Sequence, residues 1–421
     1  MTESRSVDAA LEGIDAWQER TNAFAQVFAD EARAAADADG RLTGLPVAVK
    51  DLFDVRGHPT TGCCVAIPSE PAERDAALVT RLRDEGAIVI GKTNQHELAA
   101  GVTNLESSYG PTRNPWDLQR ITGGSSGGSA VAVATGIVPI SLVSDTGGSA
   151  RIPAAFCGTW GLKPTQGRLS TEGMMSLAPE MDCPGLLAGS FDDLRLGWEV
   201  LAGRPNDRTA PSIVGLLRGG RWERCALEIK SAVGQAAERF RETGVQVRDV
   251  DGSPLDDVHR VWNRLAWPPF TERYGQLIGS PSLGAGVASL LGWGSAHRDE
   301  LPDARARGER IRGWFADAFD RVDLFLAATT PYVAPPIDAA EVDLGDSTAI
   351  DVHRGGPSWH TTAANVAGLP ALSVPFATSS DGLPIGVQLI GRANGEDALL
   401  AAAELIRPSD GELPRPAVPR R

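Results

Sequence analysis

Three residues of this chain have the types and spacing for nucleophilic chemistry. Ser125 lies in Gly123-Gly-Ser-Ser-Gly-Gly-Ser129, and Ser149 lies 24 residues further on, in Asp145-Thr-Gly-Gly-Ser-Ala-Arg151. Consecutive glycines before Ser149 free the backbone to aim N–H groups inward, and such donors can form an oxyanion hole. Lys50 closes the apolar run Gly44-Leu-Pro-Val-Ala-Val-Lys, 75 residues before Ser125. Burial at the end of an apolar strand disfavours the charged amine and lowers its pKa. A neutral amine can then serve as a general base. Two serines and a desolvated lysine supply base, relay and nucleophile without a histidine.

The glycine-rich segment has other readings. It lacks the G-K-[ST] ending of a phosphate-cradling loop, and G-x-G-x-x-G is not matched. Gly123-x-Ser125-x-Gly127 does match a nucleophile elbow, which would make Ser125 the nucleophile of an α/β-hydrolase with His353 or His360 downstream. A flexible Ser/Gly turn is the bland reading of the same residues.

The elements that must position these groups follow from the pattern. Residues 7–37 read as helical, Leu45–Val49 as a buried strand, Asp75–Glu85 as an amphipathic helix and Ala87–Ile90 as a strand. A second alternation follows, with strands at Ile213–Leu217 and Val245–Val250 around a helix at Ala226–Thr243. Residues 251–320 show no clear strand. Strands return at Leu324–Ala328, Ala371–Pro375 and Ile385–Ile390 before a helix at Glu396–Ile406. The pattern is α/β. Without repeats or a clean linker, residues 1–421 are expected to form one domain, with a frayed tail at 407–421.

Composition narrows the function. The chain has 421 residues and a formal net charge of −14, which argues against a protein that tracks nucleic-acid phosphates. The longest apolar stretch, Gly128–Val143, is too short for a membrane span and is broken by Pro139. No secretory signal is visible. The five cysteines show no C-x-x-C, which fits reduced thiols in the cytoplasm. The six histidines show no H-E-x-x-H, so no metal site is expected. Only four of the 40 basic residues are lysines (Lys50, Lys92, Lys163 and Lys230). Arginine cannot be deprotonated in a protein, so a site that needs a neutral amine must keep its lysine.

The motifs resemble the amidase signature family of serine hydrolases. The likeness runs through Gly44-Leu-Pro-Val-Ala-Val-Lys-Asp-Leu-Phe-Asp54, Gly91-Lys-Thr-Asn94, Asn114-Pro-Trp-Asp117, the Gly123–Ser129 core and Ser144–Pro153. It continues in Cys157-Gly-Thr-Trp-Gly-Leu-Lys-Pro-Thr165, Asn365-Val-Ala-Gly-Leu-Pro370 and Gly382-Leu-Pro-Ile-Gly-Val-Gln-Leu-Ile-Gly391. The resemblance implies a large mixed β-sheet core covered by helices on both faces (α/β/α). It implies Ser149 as nucleophile, Ser125 as a relay in a cis peptide after Gly124, and Lys50 as base. Backbone N–H groups of Thr146, Gly147, Gly148 and Ser149 would hold the oxyanion. Ser126 is expected near the lysine, Ser129 in helix packing, and Asp145 and Arg151 in a structural ion pair. Val143, Ala150 and Gly189 depart from the family's usual residues without touching the proposed triad.

The implied reaction is amide hydrolysis through an acyl-enzyme, releasing ammonia or an amine from a small-molecule substrate, with no cofactor. Residues 251–320 and Leu177–Leu187 are the expected substrate-shaping elements. Trp262, Trp267 and Trp293 read first as core and second as walls of an apolar acyl pocket. Cys63 and Cys64 read as buried and inert, and Lys92 and Lys163 as structural or solvated. A homodimer is carried as an expectation. The alternatives are a glutaminase subunit of a tRNA-dependent amidotransferase, the elbow-type hydrolase, and a catalytically silent binding protein.

Overall fold

The computed structural model describes residues 5–35, 39–68, 70–203, 209–345, 348–407 and 413–417. Eleven strands form one sheet among these residues. They are β1 (Phe24–Val27), β2 (Pro46–Lys50), β3 (Ile88–Thr93), β4 (Ile140–Ser144), β5 (Trp160–Lys163), β6 (Pro184–Ala188), β7 (Ile213–Arg218), β8 (Gln246–Asp251), β9 (Leu324–Ala328), then β12 (Ala371–Thr378) and β13 (Pro384–Gly391). The short strands β10 (Glu341–Asp343) and β11 (Ala349–Asp351) pair separately. The order is β1-β3-β2-β4-β6-β5-β12-β13-β9-β7-β8. The sheet is mixed: β2 runs parallel to β3 and β4, β7 parallel to β8 and β9, and the other pairs are antiparallel.

Side-chain alternation along the strands builds a core on each face. Val47 and Val49 of β2, Val89 of β3, and Ile140 and Leu142 of β4 join one apolar cluster. Ala48, Ile88, Ile90 and Val143, which point the other way, join a second. The first is covered by α3 (Ala77–Asp84) and α6 (Phe191–Ala202), the second by α1 (Val7–Thr21) and α4 (Gly127–Ala134). Further helices are α2 (Ala29–Ala34), α5 (Arg151–Cys157), α7 (Leu227–Glu242), α8 (Val258–Tyr274), α9 (Ala285–Ala296), α10 (Leu301–Phe319), α11 (Thr362–Val366) and α12 (Glu396–Ile406). This is the α/β/α architecture expected from the motifs.

One local expectation needs correction. The helical stretch read over 7–37 is divided. Ser6 caps α1, its hydroxyl accepting from the Ala9 N–H at 3.2 Å, and Asn22 ends it in a left-handed conformation (φ 53°). Phe24–Val27 then becomes an edge strand against β3. In the tail, residues 413–417 have neither helix nor strand, and Arg415 lies against Gly136. Positions 408–412 and 418–421 lie outside the described residues. Residues 258–319 contain no strand: α8 packs on α9, α10 and α11 as a helical excursion from the sheet.

Candidate active site

β2 and β4 are parallel neighbours, with Val49 opposite Leu142, so their carboxyl ends lie side by side. Lys50 ends β2 and Ser144 ends β4. Lys50 Nζ sits 2.7 Å from Ser125 Oγ and 3.0 Å from Ser144 Oγ. The amine is fully buried. Desolvation lowers its pKa to about 7, although the Asp145 carboxylate pulls the other way. Ser125 stands just before α4, and the Gly124–Ser125 peptide is cis, as the resemblance implies. The His96 N–H holds the Ser125 carbonyl at 3.0 Å, and the Ser126 N–H reaches the Ser149 carbonyl at 3.3 Å, tying the two serine loops together. Ser149 is 8% exposed, whereas Lys50 and Ser125 are 0% exposed. All three residues are buried, Ser149 the least completely.

The loop from β4 to α5 is held at every peptide. Asp145 and Arg151 form a fully buried ion pair at 2.8 Å. Arg151 also reaches the Thr361 carbonyl (3.0 Å) and the side-chain oxygens of Gln388 (2.5 Å) and Asn365 (2.7 Å). Burial raises the Asp145 carboxyl pKa, but the Arg151 charge and hydrogen bonds outweigh it and hold the group well below the usual carboxylate range. The Asp145 side chain accepts the Gly148 N–H at 2.8 Å. The Gly148 N–H, one of the four expected oxyanion donors, is thus bonded within the loop. Among the described residues, the N–H groups of Thr146, Gly147 and Ser149 have no protein acceptor. Removing one member of a buried pair strands a charge, at a cost of about 3–5 kcal/mol. Arg151→Met is therefore expected to lower the urea midpoint by that equivalent, with part restored in Arg151→Met/Asp145→Asn.

Several residues acquire roles that the sequence reading misses or places elsewhere. Ser144, not Ser126, is the further serine whose hydroxyl bonds the lysine; the Ser126 hydroxyl donates to the Ser144 carbonyl at 3.4 Å. Ser129 packs as expected, its hydroxyl 2.6 Å from that of Thr93. Asp182 accepts from the Thr146 hydroxyl (2.8 Å) and from the Leu177 and Ala178 N–H groups (both 3.0 Å), so it fastens the 177–182 segment to the loop from β4 to α5. His96 is buried beside Lys50 and pushed down to about 3, chiefly by desolvation, so it stays neutral. Its own position is fixed by the Asn104 N–H, which donates to Nδ1 at 3.2 Å.

The aromatic residues divide. Trp262 donates from Nε1 to the Thr146 carbonyl at 2.8 Å, so it touches the loop from β4 to α5. Trp267 meets Trp262 edge-on at 5.3 Å and bonds Asn263, within α8. Trp293 stacks on His297 at 3.8 Å and under Arg264, contacts inside the helical excursion. Cys63 and Cys64 are both buried, and burial raises both thiols, Cys64 to about 12. They are protonated near neutral pH. Lys92 and Lys163 are buried rather than solvated: Lys92 pairs with Asp51 at 3.1 Å, and Lys163 donates to the Pro164 carbonyl at 2.8 Å.

Comparison with known proteins decides the family. The model of the family described as Amidase matches residues 5–400. The chain belongs to the amidase family. The A-type subunit of glutamyl-tRNA(Gln) amidotransferase from Anaeromyxobacter dehalogenans (strain 2CP-C) is 36% identical across 98% of this chain and 94% of the relative. A crystal structure of an amidase aligns at a TM-score of 0.86 and 36% identity over 94% of this chain and 93% of its own. The 6-aminohexanoate cyclic dimer hydrolase, solved with substrate, aligns at a TM-score of 0.85 and 27% identity over 99% of this chain and 96% of its own.

As a member of this family, the chain is an enzyme acting on C–N amide bonds, which displaces the silent-binding-protein alternative. The elbow reading is also displaced. His360 is buried against the Arg221 carbonyl (3.0 Å) and His353 reaches the Ala339 carbonyl (3.1 Å), whereas Ser125 faces the lysine. No helix among the described residues is long and apolar enough to cross a membrane.

Proposed function

We propose that this enzyme hydrolyses a carboxamide through a Ser149 acyl-enzyme, with Lys50 as base and Ser125 as relay. The observation that supports this reading is a fully buried lysine amine, lowered to about 7, lying 2.7 Å from the Ser125 hydroxyl, with the Ser149 loop tied to the Ser125 loop by the Ser126 N–H. Neutral Lys50 accepts the Ser125 proton as Ser125 Oγ accepts the proton of Ser149. Ser149 Oγ bonds the carbonyl carbon, and the carbonyl oxygen takes the negative charge. Backbone N–H groups of Thr146, Gly147 and Ser149 receive that oxyanion. Collapse of the adduct breaks the C–N bond. The proton on Lys50 returns through Ser125 to the leaving nitrogen, giving ammonia or an amine. Water then attacks the ester by the same proton route and frees the carboxylic acid and Ser149.

The amidotransferase relatives favour a more specific form of this chemistry: glutamine as the amide, with ammonia passed to a partner in a tRNA-dependent amidotransferase. Named likeness to these relatives supports it more strongly than it supports a free-standing amidase, while the solved amidase at the same identity supports the latter. Ammonia release across aliphatic, aromatic and amino-acid amides separates the two. On the glutaminase reading, glutamine is turned over in preference to the other amides. A kcat/KM at least tenfold higher for another amide, by the chain alone, would displace it.

A further inference from the structure

One peptide of the loop that carries Ser149 is held from helix α8. In a trans peptide, C=O and the following N–H point in opposite directions, so holding a carbonyl aims the N–H behind it. The only cis bond among the described residues is Gly124–Ser125. The loop carbonyls are each held by a different group. Asn365 Nδ2 donates to the Asp145 carbonyl at 3.1 Å, Thr361 Oγ1 to that of Gly147 at 2.6 Å, and the Ile152 N–H to that of Gly148 at 2.7 Å. The Thr146 carbonyl is held by Trp262 Nε1 at 2.8 Å. The N–H that this last bond aims is that of Gly147. With the Gly148 N–H given to Asp145, the Gly147 N–H is one of three the loop can offer to an oxyanion.

The packing matches the hydrogen bond. A Cβ built on Gly147 would fall 2.5 Å from Trp262 Cζ2, so the indole lies flush on the backbone and a side chain at 147 has no room. His259 stacks on the indole at 6.1 Å and Trp267 meets it in a T-shaped contact at 5.3 Å, fixing the ring within α8. Trp262 is 7% exposed. Its N–H is directed at backbone rather than at solvent.

We infer that Trp262 is a positioning residue for the reaction: its indole N–H fixes the Thr146–Gly147 peptide so that the Gly147 N–H faces the reacting carbonyl. The inference rests on Ser149 being the nucleophile. Helix α8 thereby couples the substrate-shaping region to the oxyanion site. Loss of one oxyanion donor in other enzymes costs roughly 10²–10³ in kcat, and a donor left free to turn away should cost a substantial part of that.

The test is the second-order rate at which a fluorophosphonate labels Ser149, read by mass spectrometry. It is measured in the parent chain, in Trp262→Phe, and in a variant with benzothienylalanine at 262. That analogue keeps the indole shape and replaces the N–H with sulfur, so it preserves packing if the Phe variant does not fold. Both variants are expected to be labelled at least tenfold more slowly, with the pH midpoint of labelling unmoved and melting temperature within a few degrees for the isostere. A purely structural tryptophan would leave the isostere's rate within twofold of the parent, and that result would overturn the inference. Absence of label at Ser149 in the parent chain would instead overturn the nucleophile assignment, and the inference with it.

Discussion

Ser149→Ala is expected to lower kcat/KM for the enzyme's amide by about 10⁴-fold or more, because removing the proposed nucleophile forfeits the whole covalent route. The expected structural effect is small. Ser149 is the least completely buried of the three residues, and its loop is held by hydrogen bonds to the loop peptides and by the Asp145–Arg151 pair. A melting temperature close to the parent's, together with lost turnover, would assign the loss to chemistry. Turnover within tenfold of the parent would place the nucleophile elsewhere.

Lys50→Met is expected to abolish turnover and to stabilise the fold. The Lys50 amine titrates at about 7 in the folded protein, against roughly 10.4 in an unfolded chain. Between those values the unfolded chain binds more protons, so this group makes stability rise with pH across that window. Below about pH 7 the full cost of burying the charge applies, of the order of several kcal/mol at 1.36 kcal/mol per unit. Methionine fills much the same volume without that cost. Melts at pH 6, 8 and 10 should show the largest gain at pH 6 and the smallest at pH 10. An equal gain at all three would mean that the amine titrates normally. Turnover by the parent enzyme should rise with pH through about 7, since the proposed base is the neutral amine. Such a trade of stability for activity is common where a site must hold a strained or desolvated group.

Much of the site is legible in the sequence because its chemistry is local. Lys50 ends a run of apolar residues, and a strand that is buried along its length must desolvate whatever closes it. The glycines before Ser149 advertise a loop that can turn N–H groups inward. What cannot be read is which N–H groups stay free. Gly148 loses its N–H to a carboxylate three residues earlier, and that depends on Arg151 being gripped by Asn365 and Gln388, more than 200 residues away. Ser144 escapes a sequence reading for the same reason: its meeting with Lys50 follows from β2 and β4 being parallel neighbours, a fact of topology.

The fold shows the same division. The two-faced sheet follows from helix–strand alternation at both ends of the chain, but β1 is hidden inside an Ala- and Glu-rich stretch whose helical character is real on either side of Asn22. The tryptophan-bearing region is opaque because α8 carries Pro268 and Pro269 in its interior, which no helix pattern advertises. Trp262 consequently reads as core or pocket wall. It is core by burial, yet its N–H serves the loop opposite.

The most direct test of the central claim is to treat the enzyme with a fluorophosphonate and map the modified peptide at several pH values. The expected result is a single adduct on Ser149, formed at a rate that rises through about pH 7 and is lost in Lys50→Met. An adduct on Ser125, or labelling of Ser149 at an undiminished rate without Lys50, would contradict the assignment of nucleophile, relay and base.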